Sequence, residues 1–156
     1  MNAVTGSDFS KTVRSALERM AFVNTEPGED TAGEVLAQAF GHAVVDIAAP
    51  SSRMTLVVSA TPGMIREIAG GMMGLEPEEV DIDEHGRATL AELANILGGE
   101  LVMKLGGETI EMRMGLPGEA TDETTGAHLD HIGAGHGWAC VIAGDTGRLL
   151  VAMAEW

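Results

Sequence analysis

Glu92 and Asn95 are the residues of this chain whose types and spacing point most directly to chemistry. They lie in Leu90-Ala91-Glu92-Leu93-Ala94-Asn95-Ile96-Leu97-Gly98-Gly99-Glu100-Leu101. At about 100° per residue, Leu90, Leu93, Ala94, Leu97, Leu101 and Leu105 gather into one apolar arc, the pattern of an amphipathic helix. Glu92, Asn95 and Gly99 project from the other side, three and then four residues apart, so they stack along one line. A solvated helix face ordinarily carries Lys, Glu and Arg. This one offers a carboxylate, a carboxamide that both donates and accepts, and a glycine where nothing protrudes. That combination suits a flat surface of close approach with two functional groups on it. Two glycines in mid-helix cost roughly 1 kcal/mol each relative to Ala, so something must compensate. Glu92 also has a structural alternative, because Thr89-x-x-Glu92 is a capping-box pattern. That role holds if the helix begins at Thr89 and disappears if it begins near Asp83 or Glu84.

The elements that must position this line are legible in outline. Asp8 or Ser10 can cap a first helix running to about Phe22, with Val13, Ala16, Leu17, Met20 and Ala21 at helical spacing. Residues 24–30 have loop composition. The stretch Val35 to Phe40 is ambiguous between strand and helix. His42 to Ala49 and Arg53 to Ala60 read as an antiparallel hairpin turning at Pro50-Ser51-Ser52. Thr61-Pro62 starts a helix with Met64, Ile65, Ile68, Met72 and Met73 on its apolar side. After the helix that carries Glu92 come a strand-like Thr109 to Leu116, a polar Pro/Gly-rich loop from Pro117 to about Gly137, and two strands, Trp138 to Ala143 and Arg148 to Glu155. Gly144-Asp145-Thr146-Gly147 is a hairpin turn between them.

Composition narrows the partners. Nine basic residues against twenty-four acidic ones give a formal charge of −15 over 156 residues. That argues against nucleic acid, which needs clustered Lys and Arg, and against an anionic membrane surface. It suits a self-repelling soluble surface, or an acidic face that steers a basic protein partner. Three Phe, two Trp and no Tyr leave the interior to aliphatic residues and ten Met. A single cysteine, Cys140, excludes an internal disulfide and suits a reducing, cytoplasmic compartment. The N-terminus lacks a signal-peptide pattern, and no apolar run approaches the roughly 20 residues of a membrane span. One domain over 1–156 is expected, with 1–7 a flexible N-terminus.

A weak internal repeat links the two long helices: Leu17-Glu18-Arg19-Met20-Ala21 resembles Ala91-Glu92-Leu93-Ala94-Asn95, and strand-rich sequence follows each. The second copy has Asn where the first has Ala21. The line Glu92-x-x-Asn95 followed by Ile96-Leu97-Gly98-Gly99 resembles the signature helix of the CheC/CheX/FliY phosphatases of bacterial chemotaxis. Ala16 to Phe22 and the order of elements resemble the CheX branch, over roughly residues 8 to 156. CheC-type members usually carry the Glu-x-x-Asn pair on both repeated helices, and CheX-type members carry it once, as here. The resemblance implies an α+β fold, a pseudo-repeated domain with a mostly antiparallel sheet packed against long helices. It implies hydrolysis of the aspartyl phosphate on a CheY-like response regulator. Glu92 would dock against the regulator's lysine, Asn95 would orient the attacking water, and Ile96 and Gly99 would contact the partner. No cofactor is expected on this chain, a divalent metal (Mg) being expected in the receiver domain instead. A homodimer joined through sheet edges is implied as well. A non-catalytic adaptor using the same helix on a receiver or a flagellar motor component is the alternative, and a purely structural domain is a third.

Other candidates are weaker. His128, His131 and His136 have some metal-ligand character but match no strong zinc spacing, so a solvated loop is their expected setting. Cys140 has no base nearby in the pattern and reads as a small strand residue. Met72, Met73, Met112 and Met114 read as core. Gly70-Gly71 is not followed by a phosphate-loop lysine.

Overall fold

The computed structural model describes residues 5–107 and 109–156. Two long helices, α1 (Gly6–Ala21) and α4 (Ile82–Gly106), and a connecting helix α3 (Pro62–Met73) cover one face of a seven-stranded sheet. The strands are β1 (Glu26–Pro27), β2 (Gly41–Ala48), β3 (Arg53–Ala60), β4 (Arg113–Met114), β5 (Gly118–Ala120), β6 (Gly137–Ala143) and β7 (Arg148–Glu155). Two shorter helices, α2 (Ala32–Ala37) and α5 (Asp122–Gly133), pack on the strands from the other side. The sheet runs β1-β6-β7-β3-β2-β4, with β5 also on β2, and every pairing is antiparallel. The expected α+β architecture is thus observed.

Strand alternation sorts the core. Ala43, Val45 and Ile47 of β2, Met54, Leu56, Val58 and Ala60 of β3, and Leu149, Val151 and Met153 of β7 meet the long helices. The six apolar positions read on α4 are all buried, from Leu90 through Leu105.

The internal repeat is complete. Each half runs long helix, short strand, short helix, hairpin: α1-β1-α2-β2-β3 and then α4-β4/β5-α5-β6-β7, with α3 as the link. Each short strand crosses to the other half, β1 onto β6 and β4 and β5 onto β2, and the hairpins meet along β3 and β7. The halves are therefore sewn together and form one hydrophobic core.

Several local expectations are corrected. Thr5, not Asp8 or Ser10, caps α1; its hydroxyl accepts from the Asp8 N–H at 3.1 Å while the Asp8 carboxylate accepts from the Thr5 N–H at 3.2 Å. Of the expected flexible segment 1–7, residues 1–4 lie outside the described residues, and 5–7 form the cap and first turn. The ambiguous Val35 to Phe40 divides: Val35 to Ala37 end α2, and Phe40 leads into β2. Within Thr109 to Leu116 only Arg113–Met114 is strand. The polar loop from Pro117 to Gly137 holds β5 and the three-turn helix α5, capped by Thr121 with Thr124. Its Gly126 and Gly133 mimic loop composition, and its inner side carries Thr125 instead of an apolar stripe, so no 3.6-residue periodicity marks it.

Candidate functional site

Helix α4 begins well before Glu92. Asp81 caps it, its carboxylate accepting from the N–H groups of Asp83 and Glu84 at 3.1 and 3.2 Å. Thr89 instead donates to the His85 carbonyl at 2.8 Å. The capping role for Glu92 is thereby excluded, and Glu92 and Asn95 sit in the middle of a 25-residue helix. Their side chains stand about 4.5 Å apart along its axis at 1.5 Å rise per residue. The helix is held along its length by buried leucines, so this line is rigidly mounted.

Glu92 is exposed, and Asn95 and Ile96 are half-buried. Among the described residues, neither Glu92 nor Asn95 has a hydrogen-bonding or ion-pair partner. Nearby charges on α4 are already paired: Arg87 with Glu119 at 3.2 Å, and Glu100 with Arg19 of α1 at 3.0 Å. A carboxylate and a carboxamide with free valences thus share one open helix face. The two mid-helix glycines separate in purpose. A Cβ on Gly98 would meet the Met114 sulfur at 2.6 Å, so Gly98 lets β4 close on the helix. Among the described residues, a Cβ on Gly99 would meet nothing within 4 Å, and no contact with them requires the glycine.

The first repeat makes an internal control. Glu18, the counterpart of Glu92, accepts a hydrogen bond from the Thr25 hydroxyl at 3.0 Å, while Arg14 donates to the same hydroxyl at 3.2 Å and to the Thr25 carbonyl at 2.8 Å. There the carboxylate ties the loop after α1 in place, and Ala21 stands in the position of Asn95. Only the second copy is left open.

One constellation escaped the sequence reading, and a second, built on the named histidines, forms a packed stack instead of the expected solvated loop. His42 is buried between the Ser59 hydroxyl at 2.7 Å from Nδ1 and the Asp122 carboxylate at 2.5 Å from Nε2. The order Ser-His-Asp is that of a hydrolytic triad, but Ser59 is fully buried, so no substrate can reach its hydroxyl. The line instead tethers the first turn of α5 to the β2–β3 hairpin. His42 and Ser59 are register partners and could have been paired by counting back from the turn; Asp122, 80 residues away, could not. The second constellation is a ring stack: His131 lies against Trp156 at 4.1 Å and His136 at 4.7 Å, with His128 edge-on to Trp156 at 5.6 Å. These imidazoles pack the end of α5 and do not converge on a point. Among the described residues, no cluster of three His, Cys, Asp or Glu side chains is placed to hold a metal. Cys140 is half-buried in β6, and burial pushes its thiol up to about 12, with Ser10 pulling modestly the other way. Met72, Met112 and Met114 pack against the core, while Met73 is 41% exposed. Among the described residues, no helix is long and apolar enough to cross a membrane.

Several solved structures share this fold. The chemotaxis protein CheX of Vibrio vulnificus aligns over 100% of both chains with a TM-score of 0.70 and 13% identity. A CheC-like superfamily protein from a Shewanella species aligns over 100% of this chain and 99% of that one, with a TM-score of 0.67 and 18% identity. CheX from Borrelia burgdorferi, solved in a complex with CheY, BeF3 and Mg2+, aligns over 94% of each chain with a TM-score of 0.61 and 18% identity. At these identities the likeness establishes the fold. No curated protein matches the sequence. The family model for the chemotaxis phosphatase CheX matches residues 29–130, a span that includes α4 with its Glu92–Asn95 line and covers well over half of the chain; the chain belongs to the CheX family.

Proposed function

We propose that this protein hydrolyses the aspartyl phosphate of a CheY-like receiver domain, with Glu92 and Asn95 as its contribution to an active site completed by the partner. The observation that carries this reading is the contrast between the two repeats: among the described residues, Glu92 and Asn95 lie unpartnered on an open, rigid helix face, whereas Glu18 is consumed by Thr25. Glu92 pairs with the receiver's lysine in a charge-assisted hydrogen bond and sets the register of docking. Asn95 reaches the phosphoryl group. Its carboxamide oxygen accepts from the attacking water and its N–H group donates to a phosphoryl oxygen, without the repulsion an Asp would add. Water oxygen bonds to phosphorus as the bond to the aspartyl oxygen breaks; carboxylate leaves, and the water's proton goes to the phosphate released. Neutralisation of phosphoryl charge falls to the receiver and its Mg2+. Ile96 and Gly99 lie on the same face and let the partner approach. The reaction takes place in the cytoplasm.

The homodimer expected from the resemblance has a candidate edge. Along β2 the outer side is occupied by β4 and β5, with Gly115 N–H donating to the Asp46 carbonyl between them. Along β6, among the described residues, only Ala143, Ile142 and the Val141 carbonyl are occupied, by β1 and Gly28. Gly137 to Cys140 is the open stretch through which two sheets can join.

The test is phosphate release from a phosphorylated CheY-type receiver. Wild type should accelerate decay, and Asn95→Ala should lose the acceleration while still binding. Equal acceleration by wild type and Asn95→Ala would sink the catalytic assignment.

A further inference from the structure

Leu116 is 93% exposed, more than any other large hydrophobic side chain among the described residues. It does not sit on a loose tip. The segment that carries it is pinned to β2 on both sides, by β4 at Ile47 and Ala48 and by β5 at His42 to Val44, and Gly115 N–H donates to the Asp46 carbonyl at 2.8 Å. The same segment lies along the flank of α4. Met114 packs at Gly98, and Pro117 to Ala120 line a pocket of about 410 Å³ together with Arg87, Ala88 and Ala91. Leu116 falls in the chain between these two attachments, which meet α4 at Gly98 and at Ala91, about two helical turns apart. Asn95 follows Ala91 by four residues and Ala88 by seven, so it shares their side of the helix. The exposed leucine, the mouth of the pocket and the carboxamide therefore occupy one continuous strip.

We propose that the β4–β5 connection is a second docking element for the receiver domain, with Leu116 as the apolar anchor that seats the receiver over Asn95. This inference rests on the phosphatase reading above. The occupant follows from continuity: whatever brings a phosphoryl group to Asn95 must also cover the strip beside it. Charge agrees. The rim next to Leu116 carries the Arg87–Glu119 pair, each charge offset by the other, so this flank is locally neutral on a chain of net charge −15. Covered by the receiver, Leu116 is taken out of water as a single aliphatic anchor. Leu116 is a positioning residue; it touches the partner's surface and leaves the chemistry to Asn95.

The experiment titrates a CheY-type receiver, activated with beryllofluoride and Mg2+, into wild type, Leu116→Asp, Leu116→Met and Asn95→Ala, and follows phosphate release with the same variants. Leu116→Asp should raise Kd and KM by roughly tenfold or more, the worth of one well-buried aliphatic side chain, with kcat within about twofold of wild type. Leu116→Met should stay near wild type. Asn95→Ala should show the reverse split, with kcat lost and Kd kept. Unchanged melting of Leu116→Asp separates the effect from misfolding. If wild type binds and turns over and Leu116→Asp binds as tightly, the docking role is wrong while the phosphatase reading stands. If wild type neither binds nor accelerates decay of any receiver, both fail together. If Leu116→Asp halves the light-scattering mass, the leucine belongs to an interface between copies of this chain, and the inference is overturned.

Discussion

On the proposed reading, a carboxylate and a carboxamide one helical turn apart do different work, and substitution should separate them. Glu92→Gln keeps shape and removes charge. A hydrogen bond to a charged group contributes about 1.5–3 kcal/mol, so KM for the phospho-receiver should rise by roughly 10- to 100-fold while kcat falls little, and the wild-type KM alone should grow with salt. Asn95→Ala should instead lower kcat by about 10²-fold, the effect of losing the geometry of one reacting group. Steady-state kinetics on both variants over a salt series checks the pair. Cys140 supplies a test without a partner. Its thiol is raised by burial from 9.0 to about 12, so the folded state holds the proton more tightly than the unfolded one. That leaves stability untouched at neutral pH and lowers it as pH climbs from the unfolded value toward the folded one. Iodoacetamide at pH 8 should therefore label native Cys140 far more slowly than the denatured chain, with mass spectrometry as the readout.

At the scale of elements, α4 carries a glycine that its own fold does not need. Gly99→Ala fills open space on an exposed helix interior, and should stabilise the protein by about 1 kcal/mol, raising Tm by roughly 2–4 °C for a chain of this size. The same methyl group would intrude on the face proposed for receiver docking, so affinity should fall as stability rises. A variant that gains stability and keeps full affinity would show that Gly99 has no part in docking. The helix and its odd polar line were legible because buried leucines and solvent-facing residues alternate at the helical period. So were both hairpins, where β-branched runs flank recognisable turns. Helix α5 was not legible: Thr125 is its one fully buried residue, and what holds it is His42 reaching Asp122 from a strand far away in sequence, together with the stack of His131 on Trp156. Period-based reading detects burial of apolar side chains and misses elements anchored by polar tethers. Leu116 was missed for a related reason. An exposed leucine acquires meaning only when β4 and β5 lay it beside α4, and that placement is tertiary.

The two proposed interfaces of the whole molecule, with a second copy and with a receiver, would have opposite electrostatics. Joining two copies through β6 brings together chains of net charge −15 each, so self-association works against long-range repulsion. Salt shortens that repulsion, with a Debye length of about 10 Å at 0.1 M, and the dimer should tighten as salt rises. The proposed docking of a receiver through Glu92 would use attraction between opposite charges, and should weaken over the same range. The alternation along β6 aims the N–H and C=O of Ala139 away from β7, toward the open edge. Ala139→Pro removes that N–H and should break the joined sheet while leaving the β6–β7 ladder intact. Light scattering across a salt series should give a dimer mass for wild type, favoured at high salt, and a single-chain mass for Ala139→Pro throughout. Receiver binding by the two proteins should be equal, because β6 lies at the far side of the sheet from β2 and the α4 face that packs over it. If Ala139→Pro also lost receiver binding, the two surfaces would be coupled, and the dimer would have to be counted as part of the active unit.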